Sequence, residues 1–145
     1  MPLARAMRDL LGQLIIGAGT SYVFDNTNAH LLVGDSTQGA GLAGIMPTSW
    51  NAMGSSGANW AQSSMDAGYP QYSVTSDANT PAMIFRSTFG TAAANFHWQE
   101  WGVRNGAGSG TATSSGVMLN HVTADLGTKT NVQTWQLTCV ITPTT

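Results

Sequence analysis

From Trp135 to Thr142 the chain alternates without a break. Trp135, Leu137, Cys139 and Ile141 fall on one side, and Gln136, Thr138, Val140 and Thr142 on the other. Successive side chains of an extended strand point to opposite faces, so this period of two predicts a strand with one face in a core and a Thr-rich face outside. Pro143 then ends it, because proline cannot donate to a ladder. The same period recurs over 82–89, where Met83, Phe85, Ser87 and Phe89 share one face and Ile84, Arg86 and Thr88 the other. A chain built on such segments must bury sheet faces against each other.

The remaining strands are shorter. Tyr22–Phe24 and His30–Val33 are expected as strands around a turn at Asp25–Asn28, and Gln71–Thr75 as another. Over 95–104, strict alternation puts Phe96, Trp98 and Glu100 on one face and His97, Gln99, Trp101 and Val103 on the other. Tryptophan on both faces predicts a strand covered on both sides. Residues 105–116 have the Gly/Ser/Thr composition of a flexible hairpin loop. Residues 117–124 are the return strand, and Gly127–Asn131 a turn. About seven short strands separated by turn residues suggest a mainly β domain, a β-sandwich or jelly roll.

Two stretches depart from this pattern. Over 3–16, Leu3, Met7, Leu10, Leu11 and Leu14 recur at the spacing of one helical face. Arg5 and Asp9 stand four apart on the polar side, and Gly17 and Gly19 stop the run. A short N-terminal helical arm (1–20) ahead of a β domain (21–145) is the expected organisation. The arm either packs on its own domain or docks on a neighbour. Residues 34–68 are rich in Gly, Ser and Ala, with Trp50, Met53, Trp60 and Met65 as apolar mass, and a short helix is expected near 58–66.

Composition narrows the function. A chain of 145 residues suits one domain. Folding at this size buries about 70% of the unfolded surface, enough for a core without staples. Only 8% of residues are charged. An average soluble protein has about 25%. Hydrophobic residues make up 42% and the net charge is −2. Such a chain is expected to fold, and its weakly charged surface favours association over solitary life. The five basic residues, Arg5, Arg8, Arg86, Arg104 and Lys129, are scattered, so no nucleic-acid partner is expected. No apolar run approaches the ~18 residues of a membrane span, so no membrane partner is expected either. Asp9, Gly12 and Gln13 interrupt the one stretch that resembles a signal peptide.

The inventory for chemistry is thin. Cys139 is the lone cysteine, which rules out an intrachain disulfide and a Cys-based zinc site. His97 and Glu100, three apart on a strand, point to opposite faces and do not chelate. His97 and His121 could oppose each other across a hairpin, but no third ligand is evident. No metal is therefore expected, and surface or interfacial hydrogen bonding is their expected role. Gly106, Gly108 and Gly110 imitate a dinucleotide fingerprint, but a strand follows them where that motif needs a helix. No enzyme activity and no cofactor are expected. Trp98 and Trp135 are assigned to the core. Trp50 and Trp60, with the apolar arm face, are the candidate protein-interface residues, since tryptophan is enriched where proteins meet.

The segments FRSTFGTAAANFHWQEWGVRNGAGSGT and VMLNHVTADLGTKTNVQTWQLTCVITPT, with FDNTNAHLLVGDST and MDAGYP before them, resemble a class of small bacteriophage virion structural proteins. The resemblance spans residues 22–142 and excludes the arm; its motifs are structural and carry no catalytic residues. It implies a capsid decoration (cement) protein that sits on the outer capsid surface as a homotrimer, with the major capsid protein and itself as partners. The alternative it implies is a tail or tail-fibre-associated virion protein with a receptor- or glycan-facing surface, where the tryptophans would stack on sugars.

Overall fold

The computed structural model describes residues 23–35, 59–75, 80–105 and 118–142. They form seven strands: β1 (Ala29–Gly34), β2 (Trp60–Ser64), β3 (Gln71–Thr75), β4 (Thr80–Phe89), β5 (His97–Asn105), β6 (Met118–Thr128) and β7 (Trp135–Ile141). Every pairing is antiparallel, in a four-stranded sheet of order β2-β1-β5-β6 and a three-stranded sheet of order β3-β4-β7. The expected arm over 3–16 lies outside the described residues.

The alternation read from the sequence puts the core between the two sheets. Phe85, Phe89, Cys139 and Ile141 from the three-stranded sheet meet Ala29, Leu31, Val33, Trp98, Val103 and Leu119 from the four-stranded one, an arrangement consistent with a β-sandwich. At one end Trp98 packs edge-on against Phe89 at 4.9 Å and against Trp135 at 5.0 Å. Its indole N–H donates to the Ala94 carbonyl at 2.9 Å, so the polar end of the ring is satisfied inside the core. Burying a large apolar side chain of this kind contributes about 1.5–3 kcal/mol.

Several sequence expectations change. The helix expected near 58–66 is strand β2. Asp35 takes the Asn59 backbone N–H at 3.0 Å and its side-chain amide at 2.6 Å, and this clamp feeds Trp60–Ser64 antiparallel along β1. Five residues aligned beside an existing strand gain a ladder at once, whereas an isolated helix over 58–66 would be shorter than the ~12–15 residues at which helices become even marginal. Val23 and Phe24 precede the turn without joining a strand, and Asp25 Oδ1 holds that turn by accepting from the Thr27 and Asn28 N–H groups. The return strand runs on to Thr128; the turn after it is closed by Gln133 N–H on the Thr130 carbonyl, 3.1 Å.

A further change concerns faces. Strict alternation along β5 would place Trp98 and Glu100 together, but the register breaks between them. Trp98 lies opposite Gly127 and Glu100 opposite Thr123, so β6 uses the longer path. A bulge leaves an extra residue unpaired and re-aims the strand. Trp98 therefore faces the core with Trp101 and Val103, and Glu100 turns to the far face beside Gly34. Both faces of the four-stranded sheet are buried at its centre, since Leu32, Glu100 and Arg104 on the far side are as inaccessible as Leu31 and Val33.

Candidate functional site

The far face of the four-stranded sheet carries the densest polar chemistry. His121, opposite Gly102, donates from Nε2 to Glu100 Oε2 at 2.6 Å, and both side chains are only 1% exposed. Arg104 and His30 are paired residues on β5 and β1, and both are buried; His30 Nδ1 lies 3.1 Å from the Asn28 carbonyl. Burial lowers the pKa of the Arg104 guanidinium from its ordinary value, because the charged form loses its water.

Two glycines make room for this cluster. A Cβ on Gly34 would collide with Glu100 Oε1, and a Cβ on Gly102 would stand 2.7 Å from the Asn120 carbonyl oxygen and press on Met118 Cε. Asn120 Oδ1 in turn accepts the Val103 N–H at 3.0 Å, satisfying a backbone donor near a second register shift. The His–carboxylate pair is closed to solvent and bonds β5 to β6. Among the described residues no group of three or more His, Cys, Asp or Glu is arranged to hold a metal.

A second cluster fastens the two sheets together. Asp66, just after β2, receives three donors on Oδ2: Arg86 Nε at 3.0 Å, Thr88 Oγ1 at 3.0 Å and Gln136 Nε2 at 3.1 Å. The Arg86 guanidinium also lies over the Tyr69 ring at 4.1 Å. Asn26 donates to the Asp66 and Tyr69 carbonyls, so the turn before β1 is tied to the same place. At the Trp98 end, buried Lys129 donates from Nζ to Asn95 Oδ1 at 2.7 Å, and its backbone N–H donates to the Phe96 carbonyl. The Lys of Leu-Gly-Thr-Lys-Thr is thus a corner post.

The exposed surface is different in kind. Val132 is 81% exposed, Val140 54% and Trp60 38%, and Tyr72 is also open to solvent. Trp60 stands at the start of β2 opposite Gly34. A shallow open depression of about 370 Å³ lies between the edges β6 and β7, lined by Trp98, Leu126, Thr134, Trp135, Gln136 and Leu137. At the surface of β5 and β6, His97 Nε2 lies 2.7 Å from Asp125 Oδ1. The His97 hydrogen bond, aided by the Gly127 N–H, lowers the pKa of Asp125 from its ordinary value.

Of the residues expected at an interface, Leu3, Met7, Leu10, Leu11, Leu14 and Trp50 lie outside the described residues; Trp60 is described and partly exposed. His97 and His121, which a hairpin could have set opposite each other, do not meet, because His97 pairs with Thr128 and His121 with Gly102. The His121–Glu100 pair is hidden from the sequence by the bulge, which reverses the parity on which any face assignment depends. No family model, curated protein or solved structure matches the chain.

Proposed function

We propose that this chain is a structural subunit of a bacteriophage particle, a capsid decoration protein that binds the assembled shell. The observation that carries the proposal is the fate of the charges among the described residues. Glu100, Arg104 and Lys129 are buried, and Asp66 and Arg86 are clamped on each other. Asp25, Asp35 and Asp125 lie further out, and each carboxylate serves a local bond, on the turn, on Asn59 or on His97. Apart from these few carboxylates, what the described surface offers is chiefly hydroxyl, amide and apolar groups, which suits broad packing against protein neighbours.

The proposed mechanism is thermodynamic. A subunit that binds only the assembled shell stabilises it by about 2.7 kcal/mol per site at a free concentration a hundredfold above Kd, and symmetric copies add avidity. The trimer, the jelly-roll form of the sandwich and the arm contacts through Leu3, Met7, Leu10, Leu11 and Leu14, then Trp50 and Trp60, belong to the same proposal. Changing both Leu10 and Leu14 to Asp is expected to leave a folded protein that no longer sediments with shells; undiminished co-sedimentation would remove the arm from the mechanism.

The test of the whole reading is the copy number per purified virion, measured by quantitative mass spectrometry against the major capsid protein. Hundreds of copies support decoration, and absence from the particle overturns the virion reading. A handful would favour a tail or fibre component, for which the depression beside Trp135 offers a place for a sugar ring to stack. Tryptophan fluorescence against a panel of glycans checks that second reading.

A further inference from the structure

The two sheets end in four edge strands, and three of them are blunted. β2 and β3 are five residues each, and Pro70 stands immediately before β3. β6 breaks register twice against β5 and carries Asp125. Short length, proline, bulges and charge are the devices by which sheet proteins protect their edges from pairing. β7 has none of them within it, its proline, Pro143, standing two residues beyond Ile141. It runs seven residues in unbroken register with β4, from Phe89↔Trp135 to Met83↔Ile141. No charged side chain occurs anywhere from Thr130 to Thr145. Among the described residues, no backbone group bonds to the edge of β7 that faces away from β4.

We propose that this edge is an interaction surface for a second copy of the chain, β7 against β7, antiparallel about a two-fold axis through Thr138. The strand is self-complementary in that register. Thr138 meets Thr138, Leu137 meets Cys139, Gln136 meets Val140 and Trp135 meets Ile141. Each pair joins residues of the same parity, so core-facing side chains adjoin core-facing ones and the two three-stranded sheets become one of six strands. The central Thr–Thr pair and the apolar pairs beside it are stabilising cross-strand neighbours, and no like charges oppose each other. Val140, open to solvent in the single chain, gains cover from Gln136 of the second copy. The interface is isologous and closes on itself, which limits growth to a defined assembly where a charge-free edge would otherwise recruit strands without end.

The inference concerns the chain itself and stands apart from its placement in a virion. It is tested on the full chain by light scattering after size exclusion, with Thr138→Lys and Thr138→Cys. Thr138 is exposed, so either change should leave the fold intact by circular dichroism. Thr138→Lys sets two ammonium groups face to face on the axis and is expected to halve the mass of the wild-type assembly. That means a dimer falling to the 15.1 kDa monomer, or a hexamer to a trimer if a separate three-fold contact exists. In the proposed register the two Thr138 Cα atoms stand about 4.5–5.5 Å apart, within the range a disulfide spans. Oxidised Thr138→Cys should therefore run as a covalent dimer on a non-reducing gel, and Thr123→Cys on the edge strand β6 should not. A wild-type chain that is monomeric at high concentration, a mass unchanged by Thr138→Lys, or no cross-link from Thr138→Cys would each overturn the proposal. If the lysine variant fails to fold, the cross-link alone decides.

Discussion

Gly102 is the described glycine whose Cβ would press on backbone rather than on a side chain alone. A methyl group there would stand 2.7 Å from the Asn120 carbonyl oxygen, which is backbone, as well as press on Met118 Cε. Met118 can turn away; the carbonyl cannot move without shifting β6 and straining the bond from Val103 N–H to Asn120 Oδ1. Overpacking of a tight interior costs about 1–3 kcal/mol, and a weakened buried hydrogen bond adds roughly 0.5–1.5 kcal/mol. Gly102→Ala is therefore expected to lose about 2–4 kcal/mol. Gly90→Ala is the control, because a Cβ there has nothing within 4 Å. With a urea m-value of about 2 kcal/mol/M for a domain of this size, Gly102→Ala should lower the unfolding midpoint by about 1–2 M at unchanged m, and Gly90→Ala should leave it nearly still. Tryptophan fluorescence reports the transition, since Trp98 is buried among Phe89 and Trp135. Equal midpoints for the two variants would refute the claim that β5 and β6 meet at contact distance at Gly102.

Further outcomes follow from the same geometry. Glu100→Ala removes the acceptor of His121 Nε2–H inside a closed face. It is expected to cost about 3–5 kcal/mol by urea unfolding, with Glu100→Gln costing less because it keeps an acceptor. Asp125, its pKa lowered from 3.8 chiefly by His97, should titrate below that value by carboxyl carbon NMR and return toward it in His97→Ala. Because the folded value is depressed, the linked stabilisation is complete above 3.8 and fades as pH falls through the folded value. Burial pushes the Cys139 thiol up to about 12. Alkylation at pH ~8, followed by mass shift, should therefore be slow in the native protein and rapid in urea.

The elements most legible in the sequence are those whose two faces meet different surroundings. β4 and β7 each have one face on the core and one away from it, and Phe85, Phe89, Cys139 and Ile141 lie where alternation puts them. β1 is recognisable from Ala29-His30-Leu31-Leu32-Val33 for the opposite reason, since a run buried on both faces has no need to alternate. β2 escapes pattern reading because Trp-Ala-Gln-Ser-Ser has no period of its own. Its conformation comes from lying beside β1 and from the Asp35–Asn59 clamp, a contact 24 residues apart that local pattern cannot carry. The buried polar pair escapes for a related reason. Its existence depends on the β5 register break, and the break depends on the extra length of β6 from Ala124 to Leu126, so three residues on one strand decide the face of a glutamate on another.

That dependence also explains how a chain so poor in charge keeps a defined structure. A slip of one residue would carry the apolar faces of β4, β5 and β7 out of the core, while their threonine-bearing outer positions add little to that preference. Among the described residues, several of the scarce charges sit where slippage would be costly. Glu100 and His121 fix β5 against β6, the Asp66 carboxylate fixes the end of β2 against β4 and β7, and Lys129 fixes the corner that holds Trp98. Moving β5 against β6 by one residue would leave buried Glu100 and His121 without each other, a penalty of several kcal/mol. Charge used this way specifies the register from inside and leaves few charges on the described outside, Asp25 and Asp125 among them. The same allocation that disciplines the fold therefore exposes an uncharged β7 edge, so internal order and the capacity for strand-to-strand association have a single origin.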